Sequence, residues 1–224
     1  LLWCVGLVPF DINYPQIETL IKDEFKILIA NEIETKTFII SICNKAMTEN
    51  IFSGLYAKVL LGLNVIEPTV KELIIGECDR FFENSNTTKL NDITSAEDYD
   101  NLCNIIKQKS NMMGGYIFIA NLFKYGMVSY QMILNYYNTL IFYTNNSPKD
   151  CIGKYLDAIV NIITGCGKSL EQANPDDFKQ NFMEICYIII KDKEKIVPKY
   201  KFKLMDLCDL YERKWEVDSN WNKI

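Results

Sequence analysis

The sequence predicts an all-α fold, an α-α superhelix (solenoid) of about five antiparallel helical hairpins of HEAT type. Three observations lead there. Prolines 9, 15, 68, 148, 175 and 198 each stand just before or at the start of an apolar-periodic stretch, where a missing N–H and a fixed φ suit the first helical turn. Between them the apolar period is that of a helix, not of a strand. Strand alternation is sustained nowhere, and no Asn-Gly or Asp-Gly hairpin turn occurs.

Pro15 opens a helix over 15–30, and periodic stretches follow over 35–48 and 51–63. Pro68 starts the next, over 67–83, and the same period then covers 100–125 and 129–144. Ser147-Pro148-Lys149-Asp150 and Asn174-Pro175-Asp176-Asp177 each put a capping residue before proline and an acid after it, as a helix start prefers. They open helices over 148–165 and 175–191, and Pro198 opens 199–212. Ile152, Leu156, Ile159, Val160 and Ile163 recur at helical spacing, as do Phe178, Phe182, Ile185 and Ile189. The final helix carries two such sets, Phe202 with Met205 and Leu204 with Cys208. Helix pairs of about 40–45 residues match the HEAT or armadillo period. No repeated sequence accompanies that period, so a compact helical bundle is the alternative architecture. Asn84 to Asp100 is polar and net acidic and reads as a surface loop. Residues 1–224 read as one domain, a piece of a longer protein.

At 224 residues and 49% hydrophobic composition, the chain can bury a substantial core, and wholesale disorder is ruled out. Mean hydropathy is −0.03 and no apolar run approaches ~18 residues, so no membrane span is expected. The net charge of −5 argues against an interface built mainly on phosphate contacts. Histidine is absent, which removes the commonest general base and the commonest transition-metal ligand. His-containing triads and the common zinc-hydrolase sites are thereby excluded. The eight cysteines, at 4, 43, 78, 103, 151, 166, 186 and 208, form no C-x-x-C pair; most sit in apolar runs and read as small hydrophobes of a reduced interior. The opening residues lack a basic flank and a cleavage site. The Asn86-Thr87-Thr88 and Asn145-Asn146-Ser147 sequons read as accidents of an Asn-rich chain, and a cytoplasmic protein is expected.

Gly165-Cys166-Gly167-Lys168-Ser169 invites a phosphate-loop reading, but Ile162 stands where that pattern needs glycine, and no strand precedes it. A glycine C-cap, with Lys168 near the carbonyl end of the helix, is the expectation. Asp23-Glu24, Asp176-Asp177 and Asp206 with Asp209 read as solvated acids. No catalytic residue, metal ligand or cofactor is predicted. Lys191, Lys193, Lys195, Lys199, Lys201 and Lys203 form the one concentrated basic stretch, either a solvated turn between helices or a patch for an acidic partner or an RNA backbone. Arginine occurs only at 80 and 213, so bidentate phosphate recognition is scarce.

Five ordered blocks carry a family resemblance. They are Phe38 to Leu60, with Ile42-Cys43-Asn44-Lys45-Ala46 leading into Glu49-Asn50-Ile51-Phe52-Ser53-Gly54; Leu73 to Glu83; Phe118 to Val128; Ile163 to Leu170; and Lys201 to Leu210 followed by Trp215. In order and spacing they resemble the middle (HEAT-type) domain of eukaryotic translation initiation factor 4 gamma. The resemblance implies a non-catalytic scaffold that binds the DEAD-box helicase initiation factor 4A, bridges its two lobes and stimulates it. Related middle domains in mRNA decay, splicing and nuclear cap binding are the alternative. The initiation-factor resemblance places the main helicase contact on Asn50, Phe52, Leu73, Ile74, Glu77, Cys78 and Phe82, with Phe82 foremost; for Leu73, Ile74 and Cys78 core packing is the alternative, since these residue types are usually buried. A weaker contact falls on Lys201, Lys203 and Asp206. Weak RNA binding would fall to Lys107, Lys109, Lys193, Lys195 and Lys199. A cap-binding protein would attach through regions outside this chain. The family's basic run before the central helix is thinned here to Lys107 and Lys109, and a common arginine after the final Asp-Leu is Tyr211, which weakens the case for RNA.

Overall fold

The computed structural model describes residues 10–87, 99–192 and 196–216. Every regular element among them is helical: α1 (Phe10–Leu28), α2 (Glu32–Thr48), a 3-10 turn (Asn50–Phe52), α3 (Ser53–Ile66), α4 (Thr69–Thr87), α5 (Tyr99–Lys124), α6 (Tyr130–Asn146), α7 (Gly153–Ala173), α8 (Pro175–Phe178), a π-helical turn (Lys179–Met183), α9 (Glu184–Lys191) and α10 (Pro198–Glu212). The predicted all-α class is what the chain adopts. The chain divides between Met127 and Val128 into two compact units.

In the first unit α2 packs on α3, α4 and α5, and α3 packs on α1 and α5. Ile39, Ile42, Cys43 and Ala46 form the buried stripe of α2, at the spacing that puts residues on one helical face. Helix α2 starts at Glu32, ahead of the predicted 35, because Asn31 caps it. Its Oδ1 accepts the N–H groups of Ile33 and Glu34 at 3.1 and 3.3 Å, and its Nδ2 donates to Glu34 at 2.9 Å. The Thr35 hydroxyl donates back to the Leu28 carbonyl at 3.0 Å, closing the α1–α2 turn.

Helix α1 begins at Phe10, so Pro15 lies inside it and does not open it. The loop expected over 84–100 is shorter at both ends. Helix α4 continues through Thr87 and α5 already starts at Tyr99; 88–98 lies outside the described residues. Within the polar stretch 84–87, buried Ser85 is satisfied inside the fold: its hydroxyl donates to the Phe82 carbonyl at 2.9 Å and pairs with the Tyr116 hydroxyl of α5 at 2.8 Å.

Two adjacent glycines set how closely α5 is approached. A Cβ on Gly114 would lie 2.0 Å from the Met47 carbonyl oxygen of α2, and one on Gly115 would lie 2.1 Å from the Phe81 ring of α4. The backbone of α2 and the ring of α4 therefore seat on neighbouring positions where no side chain stands.

In the second unit α6 packs on α7, and α7 on α8 and α10. The helix expected over 148–165 runs instead from Gly153 to Ala173. Pro148 starts only a turn, in which the Cys151 N–H donates to its carbonyl at 2.9 Å. Gly165 and Gly167 thus lie in a helix interior, and the expected glycine cap does not exist. Asn174 ends α7 instead, and its side chain accepts the Asp177 N–H to start α8 behind Pro175. Gly167 has a packing role: a Cβ there would lie 2.2 Å from the Trp215 ring, as one on Gly153 would lie 2.2 Å from the Tyr200 hydroxyl. Lys203 pairs with Asp157 between these two points. Both series rise together along the chain, so α10 runs parallel to α7. The buried stripe of α10 is Leu204, Leu207 and Cys208, while Phe202 is 61% exposed. Of the two spacings seen in the sequence, only the Leu204–Cys208 set is core.

Replacing Gly114 by alanine should cost about 1–3 kcal/mol, because a backbone carbonyl cannot swing aside as a side chain does. Gly76→Ala, where nothing lies within 4 Å, should leave stability unchanged or raise it slightly through helix propensity. Urea melts of the two variants check the contrast.

Candidate functional site

The turn between α2 and α3 is held from below. The Asn121 side chain of α5 donates to the buried Ser53 hydroxyl at 3.2 Å, and the close α5 glycine brings Asn50 Cβ to 3.4 Å from a Cβ built on Gly114. Glu49, just before the turn, accepts from Lys45 Nζ at 3.2 Å and from the Tyr56 hydroxyl. Burial, with this carboxylate as acceptor, pushes the Tyr56 phenol up. The turn is fixed, and its tip is bare. Asn50 and Phe52 are half-buried, whereas Ile51 between them is 88% exposed.

On α4 the expected contact residues part company. Leu73 is half-exposed, but Ile74 and Cys78 are fully buried. Phe82, expected to lead the interface, is 6% exposed and meets the Tyr116 ring edge-on at 6.4 Å. It lies one position too far round the helix to reach solvent, and its place is the core. Glu77 is 9% exposed and accepts from Arg80 Nε at 3.0 Å. One face of α4 shows Glu72, Gly76, Asp79 and Glu83 to solvent, an acidic line at helical spacing, with Lys71 and Arg80 exposed beside it.

On α10, Lys201 and Lys203 are half-buried and Asp206 is exposed. Lys203 pairs with Asp157 and lies 5.8 Å from the centre of the Tyr200 ring; exposed Lys199 lies 5.4 Å from it on the same ring. Exposed Phe202 and Met205 stand among these charges. Lys193 and Lys195 lie outside the described residues. Lys107 is exposed and Lys109 half-exposed on α5 of the first unit.

Sequence reasoning missed Ile51, Phe202, Met205 and the acidic face of α4. Apolar residues at a turn or on a helix read as core by period alone; only the direction of Ile51, in a 3-10 turn between two half-buried neighbours, sets it apart. Among the described residues no group of three or more Cys, Asp or Glu could hold a metal ion. No described helix is long and apolar enough to cross a membrane.

Among the described residues five thiols are buried, while Cys103 and Cys151 are exposed. Burial, then the nearby Glu77 carboxylate, pushes Cys43 up to about 12. Burial raises Cys186 to about 11 and Cys208 to about 12, and Cys78 is raised for the same reason. Thiolate chemistry is suppressed at these positions.

A thiol reagent at pH 8 should label Cys103 and Cys151 in the folded protein while the five buried thiols react only on unfolding, as peptide mass mapping would read. Because Cys43, Cys78, Cys186 and Cys208 titrate higher when folded, the folded state holds more protons than the unfolded state above the unfolded thiol pKa of about 8.5. Stability should be fully present below that pH and fall as pH rises toward 12, by up to about 1.4 kcal/mol per pH unit for each thiol. Melts of Cys43→Ala should show a shallower alkaline loss.

A family model described as MIF4G domain matches residues 12–214. No curated protein matches the chain at a significant level. Among solved structures, the chain is similar to the MIF4G domain of Trypanosoma cruzi translation initiation factor EIF4G5. The TM-score is 0.61 at 19% identity, over 96% of this chain and 94% of that one. The likeness shows the fold, a helical-repeat arrangement of the kind the sequence predicts.

Proposed function

Because the chain belongs to the MIF4G-domain family, a family of helical interaction scaffolds, we propose that it is a non-catalytic scaffold of translation initiation. In this reading it docks a DEAD-box helicase of the initiation factor 4A type and stimulates it. The family match over 12–214 carries the reading, and the solved relative's role as an initiation factor favours initiation over mRNA decay, splicing or nuclear cap binding.

The main contact is the turn Asn50–Phe52 with Ile51 as apolar anchor, joined by Leu73 and the acidic face of α4. An exposed aliphatic side chain on a fixed turn loses little entropy when it enters a partner's pocket, and the acids beside it suit a basic partner surface. Ile74, Glu77, Cys78 and Phe82 act behind that surface, as its packing. The second contact is α10, through Lys201, Lys203 and Asp206 with Phe202 and Met205. A scaffold that favours one arrangement of two helicase lobes shifts their population toward it, with no reactive group of its own. RNA contact, through Lys107, Lys109 and the lysines from Lys193 to Lys199, is secondary in a chain of net charge −5. The cytoplasm is the compartment this role implies, and a cap-binding protein would join through other regions of the full protein.

Ile51→Asp should weaken helicase binding at least about tenfold, as expected for a central anchor, with the melting temperature unchanged. Phe82→Ala should instead cost about 3–5 kcal/mol of stability. Calorimetric titration with the helicase, beside thermal melts, separates the two; unchanged affinity in Ile51→Asp would remove the turn from the interface.

A further inference from the structure

We propose that the turn at Lys214–Trp215 is a strained latch that fastens the end of α10 to α7 and opens and closes as one piece. The inference rests on the second unit alone and stands apart from the helicase reading.

Lys214 and Trp215 have φ of 56° and 66°, in the left-handed region that side-chain-bearing residues seldom occupy. A helix end commonly uses one such residue, usually glycine. Here the Lys214 N–H donates to the Tyr211 carbonyl and the Trp215 N–H to the Leu210 carbonyl, each at 2.9 Å, so the backbone bonds of a helix end are made. The second left-handed residue is what turns the indole back onto α7. There its ring lies against bare Gly167, and its N–H donates to Glu171 at 2.6 Å. The ring also meets Phe178 at 6.0 Å and Tyr211 at 6.1 Å. Lys214 Nζ reaches the same Glu171 carboxylate at 3.5 Å.

Strain of this kind persists only where surrounding contacts over-determine it. Backbone turn and indole seat therefore form together or not at all. The other end of α10 is fixed in like manner by Tyr200 on Gly153. Opening the latch leaves that contact and the Lys203–Asp157 pair in place, so the last turns of α10 are freed while the helix stays attached at its start.

Trp3→Phe with Trp221→Phe leaves Trp215 as the sole tryptophan of three. Its emission should be blue-shifted and shielded from acrylamide. On warming, the emission shift should coincide with faster hydrogen exchange at 204–212, below the global melt. Gly167→Ala should expose the indole and speed exchange there about tenfold, the scale of a local opening, leaving α2 to α5 unchanged; Gly76→Ala should change neither signal. Solvent-like emission in the parent, unchanged signals in Gly167→Ala, or exchange that accelerates without the emission moving would overturn the latch.

Discussion

Helices in this chain close on one another where one of them has no side chain. Met47's carbonyl and the Phe81 ring sit on Gly114 and Gly115 of α5; Tyr200 and Trp215 sit on Gly153 and Gly167 of α7. Each contact replaces a Cβ by a backbone group or an aromatic ring from the neighbour, so the approach distance is set by sterics and not by the general stickiness of apolar surface. Gly114 fixes α2 against α5, and with it the turn that carries Ile51. Gly153 and Gly167 fix α10 against α7 in parallel register, and with it the face that carries Phe202, Asp206 and the lysines. Within each unit the candidate surface inherits its placement from the glycines beneath it.

The fold was largely legible because helical period and proline placement are local signals. Asn174-Pro175 shows this best: cap, proline and acids act within four residues, and the structure uses all of them. Ser147-Pro148 has the same pattern, yet it makes only a turn before α7 starts at Gly153. Gly165 and Gly167 looked like a helix end because glycine's cost inside a helix is local and visible, whereas the ring that offsets it comes from residue 215, nearly fifty positions away. The end of α4 was misjudged similarly. Its Ser85 reads as loop until Tyr116 of a different helix supplies the partner.

Which candidate residues are buried was legible only in part. Family resemblance points to the stretch from Asn50 to Phe82, but period alone cannot tell which residues of an amphipathic helix face a partner and which face the core. Phe82 and Ile74 have the chemistry of an interface anchor and the burial of core residues; Ile51 has the same chemistry on a tip that solvent surrounds. The buried thiols, held neutral by desolvation, complete an interior with packing roles and no reactive group drawn into the proposed action.

In the role proposed for it, the domain acts through what it binds, by favouring one arrangement of a partner that has two. RNA-dependent ATP hydrolysis by a purified helicase of the initiation factor 4A type, measured with and without the domain, tests this most directly. A several-fold rise in turnover on adding the domain, with no hydrolysis by the domain alone, is the predicted result. Unchanged helicase turnover at saturating domain, or hydrolysis by the domain alone, would contradict it.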